Sequence, residues 1–301
     1  MKQIPTLLRR EWIQHRFGWG LIVLLPTALA LLLVSFGEMK FDAEDVGERL
    51  PVALTLGALG GAVGIQLLIM WLTSLIIVTG LARRDHADRS IEFWLSLPVG
   101  HAKSLAVPLA THLLLAPAAA LLTGLITGLL ISLMLVSRTA GIGVWFALPW
   151  LPLALAALAI VARLALGLLL VTLWLSPLIL MAVLLTAWFR RWGLVILGVG
   201  IGLGSQILER VFGQPLLSDV PSELLSRAGR SLANVAGKEM VIDRAEDIQS
   251  ALMLVPRWVL ADSAQALGLL ATPLLPGALL VAAGCFALLV QWRQRGAGAA
   301  G

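Results

Sequence analysis

The sequence predicts an all-α polytopic membrane protein of about six transmembrane helices, with an N-terminal interfacial helix and a small external cap between spans five and six. Three observations lead there. Of 301 residues, 59% are hydrophobic and only 13% are charged, where an ordinary soluble domain carries about 25% charged residues. The charges are clustered, leaving uncharged stretches at 17–37, 50–82, 104–137, 164–189, 192–208 and 263–292. Each can supply the roughly 17–25 apolar residues that cross a hydrocarbon core. Lys and Arg also fall unevenly between the two sets of connecting segments. The alternative, a soluble bundle with long buried helices, is disfavoured because such helices rarely run this far without a charge.

Residues 1–17 read as a helix in the membrane interface, with Ile4, Leu8 and Trp12 spaced by four and Arg9, Arg10 and Arg16 available for headgroups. No small-residue cleavage site follows, so no signal peptide is expected. Spans are expected at 18–37, 52–81, 105–136, 164–189, 192–208 and 271–292. With both termini cytoplasmic, the inside segments hold twelve cations against four anions, a net of +8. The remaining ten cations and thirteen anions give −3 outside, as the positive-inside rule requires. The charge of +5 and pI near 10.3 are thus explained by topology, without nucleic acid. Trp12, Trp19, Trp188, Trp192 and Trp292 fall at inner ends, and Trp145, Trp150 and Trp258 near outer ones, where amphipathic rings belong. Trp71, inside the second span, is expected to line a helix interface.

Thr139 to Phe189 is interrupted by one charge, Arg163. The expectation is one span from Leu164 to Phe189, with 141–162 an interfacial or re-entrant element broken by Pro149 and Pro152. Arg163 then snorkels at the outer surface, its alternative being a substrate contact. Small residues recur at i and i+4: Gly57 and Gly61, Gly60 and Gly64, Gly124 and Gly128, Gly198 and Gly202, Gly200 and Gly204. Such spacing lets backbones approach in lipid. The only sizeable hydrophilic segment, within the external loop 209–270, alternates polar runs with amphipathic pieces at 222–236 and 245–255.

The chemistry is sparse. No phosphate-binding lysine loop exists, since Gly237-Lys238 lacks the upstream glycine, so the chain is not expected to hydrolyse ATP or to be catalytic by itself. Cys285 is the only cysteine, which excludes an intramolecular disulfide and a cysteine metal cluster. No two of His15, His86, His101 and His112 show a metal-binding i, i+4 spacing; no metal or cofactor is expected. His112, near the start of span three, is read as a buried polar contact or a ligand. None of the six spans contains an acid, which counts against an ion-coupled carrier.

The most informative segment is the cytoplasmic loop 82–104. Asp88 is placed to cap a short helix, Ile91, Trp94 and Leu95 share one face, and Pro98 stops it. Phe93, Trp94 and Leu97 then rest on the membrane or fill a partner's groove, as exposed aromatic anchors do. The run Asp88-Arg89-Ser90-Ile91-Glu92-Phe93-Trp94-Leu95-Ser96-Leu97-Pro98-Val99 resembles the loop between spans two and three of type-2 ABC exporter permeases. Leu173-Trp174-Leu175-Ser176-Pro177-Leu178, closed by Trp188-Phe189-Arg190-Arg191, is similar to a second part of that family. So are the entry helix at Leu8 to Trp12 and the final span with its basic tail, Leu270 to Arg295. The resemblance implies a single permease domain in a bacterial inner membrane, pairing with a second permease copy and a cytoplasmic ATP-binding subunit that holds ATP and Mg²⁺. It implies that Asp88, Arg89, Glu92, Phe93, Trp94, Leu97 and Pro98 carry the ATPase coupling, and that an amphipathic, lipid-like or peptidic substrate is exported. A secondary transporter or channel, or an anchoring subunit, is the alternative.

Overall fold

A computed structural model describes residues 3–37, 49–87, 100–232 and 247–298, and every regular element among them is helical. Helix α1 is Gln3–Phe36 and α2 is Leu50–Ala87. One continuous rod follows, made of α3 (His101–Ala110), a π-helical turn (Thr111–Leu115) and α4 (Ala116–Thr139). After the short α5 (Ile142–Phe146) comes α6 (Trp150–Phe189), a 3-10 turn at Arg190–Trp192, and then α7 (Gly193–Phe212). Helices α8 (Leu216–Leu232), α9 (Asp247–Gly268) and α10 (Leu274–Gly298) complete the chain. Among the described residues, five stretches are long and apolar enough to cross a membrane: Gln3–Phe36, Leu50–Arg84, His101–Thr139, Trp150–Phe212 and Leu274–Gln294. The chain is therefore an all-α multi-pass membrane protein.

Two boundaries differ from expectation. The described part of the interfacial segment and the first span form one helix, Gln3–Phe36, because nothing between them ends it; Gly18 and Gly20 sit within α1. The element at 141–162 is not separate from the span at 164–189 either, since α6 runs unbroken for 40 residues. Pro149 is its N-cap, and Pro152 falls in the first turn, where the missing N–H has no intrahelical acceptor in any case. These prolines start the helix; they do not break it. Forty residues rise about 60 Å, twice the roughly 30 Å hydrocarbon thickness.

Helix α6 is the spine. Trp174, its largest fully buried side chain, lies in a core with Val78, Leu105, Leu224, Ala278, Cys285 and Leu289, so four other helices (α2, α3, α8 and α10) meet it. Trp71 packs against the same core, as expected. Pro177 sits mid-helix without ending it; its ring nitrogen cannot bond the Leu173 carbonyl, and the Ser176 hydroxyl donates to that carbonyl at 2.8 Å instead. In lipid such local replacement is what lets a helix carry proline. At Arg190 the backbone adopts φ 55° and ψ −128°, and the chain turns back: a Cβ added to Gly193 would fall 2.4 Å from the Thr186 nitrogen. The stretch Trp150–Phe212 is thus two helices folded on each other.

Of the glycine pairs, only Gly124 and Gly128 make a close backbone crossing. A Cβ at either would lie 2.7 Å from the Cα of Val63 or Leu59, so α4 presses directly on α2. Nothing lies within 4 Å of a Cβ at Gly57, Gly60, Gly61, Gly64, Gly198, Gly200 or Gly202. Close by, Gln66 of α2 donates to Thr127 of α4 at 2.9 Å and to Thr27 of α1 at 3.3 Å, and accepts from Thr123 at 2.9 Å. This polar knot fastens three helices.

The helices run antiparallel, so the starts of α1 and α3 and the ends of α2, α6 and α10 share one end of the bundle. The Thr186 hydroxyl bonds the Thr79 carbonyl at 2.6 Å there. That end holds Arg9, Arg10, Arg16, Arg83, Arg84, Lys103, Arg190, Arg191 and Arg293, and is called the basic end below. At the opposite end Val52, Leu148, Leu153, Ala156, Leu252 and Val255 form a second small core, and the Arg138 guanidinium donates to the Val34 carbonyl.

Candidate functional site at the basic end

The first turns of α1 turn a stripe at i, i+4 spacing toward the bundle: Leu7 and Glu11 are buried, and His15 and Trp19 half-buried. This is not the stripe the sequence suggested. Ile4 and Trp12 are exposed, so they belong to the lipid or headgroup side, and the polar members of the other stripe turn inward. Glu11 is completely buried. Its two oxygens take a bidentate pair of bonds from Arg84, near the end of α2: Nη2 to Oε1 at 2.7 Å and Nη1 to Oε2 at 2.9 Å. Such fork-to-fork pairing is the strongest ionic contact a carboxylate makes with a side chain.

The third member, His112, comes from the π-helical turn. Pro108 and Pro117 flank this turn and neither can donate a helical hydrogen bond. The Ala116 N–H reaches the Thr111 carbonyl five residues back, so one extra residue is wound into the rod and the side chains after it change phase. Turns of this kind recur at functional sites. Here it places the fully buried His112 with Nε2 at 3.1 Å from Glu11 Oε2. A carboxylate ion-paired to arginine only accepts, so His112 donates through Nε2–H. Its Nδ1 is buried without a hydrogen-bond partner among the described residues.

His15 completes the group. Its Nε2 lies 3.8 Å from Glu11 Oε2, beyond hydrogen-bond range, and its ring meets His112 edge-on at 4.7 Å. Trp19 covers both imidazoles, with ring centroids 5.8 Å from His15 and 5.7 Å from His112. Glu11, His15 and His112 each direct one donor atom to a common region, all within 4.8 Å of one another. Sequence reasoning compared histidines only with histidines and missed this constellation. The i, i+4 pair Glu11 and His15 was a legible signal; the approach of His112, 97 residues further on, was not.

The expected coupling residues Asp88, Arg89, Glu92, Phe93, Trp94, Leu97 and Pro98 lie outside the described residues. The helices on either side are described, and Arg84 and His112 belong to them. Arg163 is not at the surface as expected. It is buried within α6, where Nε donates to Asp262 at 2.5 Å and Nη1 to the Ser231 carbonyl at 2.8 Å. A guanidinium with a carboxylate and a helix C-terminus in reach has no reason to snorkel, and it fastens α8 and α9 to the spine. Arg227 adds to this by lying 5.4 Å over the Trp174 ring.

Comparison with protein-family models, curated proteins and solved structures finds no match to this chain.

Proposed function

We propose that the chain is the permease subunit of an ATP-driven ABC exporter, crossing a bacterial inner membrane six times with both termini and the basic end in the cytoplasm. Helix α7 is then the fifth crossing, and α9 with the C-terminal end of α8 forms the external cap, while Leu224 of α8 packs into the Trp174 core. The carrying observation is the Glu11 clamp, which ties the entry helix α1 to the end of α2 and to the α3 rod, the two helices that the expected coupling loop joins. A push on that loop would then pass to three helices together. This rigid frame is what a two-state coupling between an ATPase and a membrane path requires. The resemblance of the loop to its counterpart in type-2 exporter permeases supplies the partner: a cytoplasmic ATP-binding subunit carrying ATP and Mg²⁺, with a second permease copy completing a dimer. Nearly uncharged spans suit an amphipathic, lipid-like or peptidic cargo.

The buried Glu11 and His112 raise a second reading, a proton-coupled carrier. Arg84 counts against it. A fixed cation bonded to both carboxylate oxygens keeps the acid ionised, whereas a carrier must load and release its proton.

The test is assembly. Phe93→Ala with Trp94→Ala should leave the protein inserted while lowering co-purification of the ATPase roughly thirty-fold, the equivalent of about 2 kcal/mol for a lost aromatic anchor. Arg89→Glu should have a smaller, salt-dependent effect. If the double variant assembles like the parent, the loop does not dock the ATPase. Full transport by the chain reconstituted alone would rule out the exporter.

A further inference from the structure

We propose that Glu11, His15 and His112 form a binding site for a divalent transition metal, best fitted to Zn²⁺, that braces α1 against the α3 rod. The proposal is independent of what the protein transports. Zinc takes nitrogen and oxygen ligands at about 2.0–2.2 Å in a tetrahedron, which sets neighbouring ligand atoms about 3.3–3.6 Å apart. Glu11 Oε2 lies 3.1 Å from His112 Nε2 and 3.8 Å from His15 Nε2, on either side of that separation. Side-chain shifts of a few tenths of an ångström satisfy these two separations, and the two imidazole nitrogens, within 4.8 Å of each other, close by at most about 1.5 Å to reach it.

The cluster holds more than an ion pair needs. Arg84 already meets both oxygens of Glu11, yet two imidazoles also crowd Oε2. His15 Nε2 is buried with no hydrogen-bond partner among the described residues, and aimed at the same oxygen. His112 is fully buried, on a π-helical turn that brings it there. An imidazole stranded this way loses its hydrogen bonds to water without replacement; a metal ion would restore one.

Arg84 is the obvious obstacle, and its geometry defines the answer. The cation takes Oε2 and displaces the Nη1 bond, while Nη2 keeps its 2.7 Å bond to Oε1, as an outer partner orienting the ligand. His112 binds through Nε2, and the proton it held there moves to Nδ1. The His15 side chain is about one quarter exposed, so that side gives the ion an entry path and a water as fourth ligand. Two cations then share one carboxylate, so Arg84 must weaken the site.

The experiment uses the full chain purified in detergent, stripped with chelator and titrated with ZnCl₂ alone, then with CoCl₂ for its visible absorption. We expect about one Zn²⁺ per chain and the intense bands of four-coordinate Co²⁺. His15→Ala, at the partly exposed ligand, should fold normally and weaken binding at least about 100-fold, since even outer partners are worth 10–100-fold. Arg84→Gln should tighten it about tenfold by removing the nearby positive charge. His101→Ala, outside the cluster, should change nothing. Absence of saturable micromolar binding, binding that survives His15→Ala, or binding that weakens in Arg84→Gln while that variant keeps the parent's helicity and elution profile would overturn the site.

Discussion

Glu11 holds Arg84 with both oxygens and His112 with one, so replacing it by glutamine keeps the shape but removes the charge that both neighbours address. Breaking a buried pair from one side costs about 3–5 kcal/mol, whereas removing both charges together costs far less. We expect Glu11→Gln to destabilise the protein by an amount in that range, and Glu11→Leu with Arg84→Leu to recover most of the loss. Reversible unfolding in mixed micelles measures both. Similar losses for the single and the double variant would mean that the two side chains are not energetically coupled. Arg163 shows how a charge is misread when read alone. A lone arginine among apolar residues looks like a membrane-surface anchor until Asp262 and the end of α8 are placed around it.

Among the elements, the five glycine pairs show what a motif leaves open. Each satisfies the same small-residue spacing, yet only α4 uses its pair to approach a neighbouring backbone. A methyl group at Gly128 would sit 2.7 Å from the Leu59 Cα, and backbone cannot swing aside as a side chain can. Gly128→Ala should therefore cost about 1–3 kcal/mol, as overpacking does. Gly64→Ala, with open space at its Cβ, should stay within about 0.5 kcal/mol of the parent. Thermal unfolding of the pair in one detergent decides it, and equal losses would show that the α2–α4 crossing is not as tight as described. The π-helical turn teaches the same lesson in another form: Pro108 and Pro117 are visible in the sequence, but they do not say that the helix will absorb an extra residue between them instead of breaking.

For the whole molecule, the proposal fixes an orientation. A reporter fused after Arg295 should give a cytoplasmic signal and one inserted near Gly237 an external one. Opposite signals at either position would end the six-crossing arrangement, and with it the placement of the Glu11 clamp beside a cytoplasmic ATPase. The same experiment tests α7. If the hairpin at Arg190 did not carry the chain back across the membrane, the Gly237 reporter would signal from the cytoplasm and the Arg295 reporter from outside.

The membrane class followed from the sequence alone, because crossing a bilayer demands long uncharged stretches and those stretches are read residue by residue. Pro149 and Pro152 were visible as well, but they read as breaks in a separate element, whereas they stand at the start of α6. Trp71 at an interface and His112 as a buried polar contact were legible for local reasons. The tertiary structure decided everything that depends on two distant residues meeting. A helix stripe has no label saying whether lipid or protein covers it, so Ile4, Leu8 and Trp12 drew attention while Leu7, Glu11, His15 and Trp19 faced the bundle. Glu11, Arg84 and His112 stand 73 and 101 residues apart along the chain from first to second and first to third. Their attraction acts through space over a few ångströms, and only the packing of α1, α2 and the α3 rod brings them within that reach.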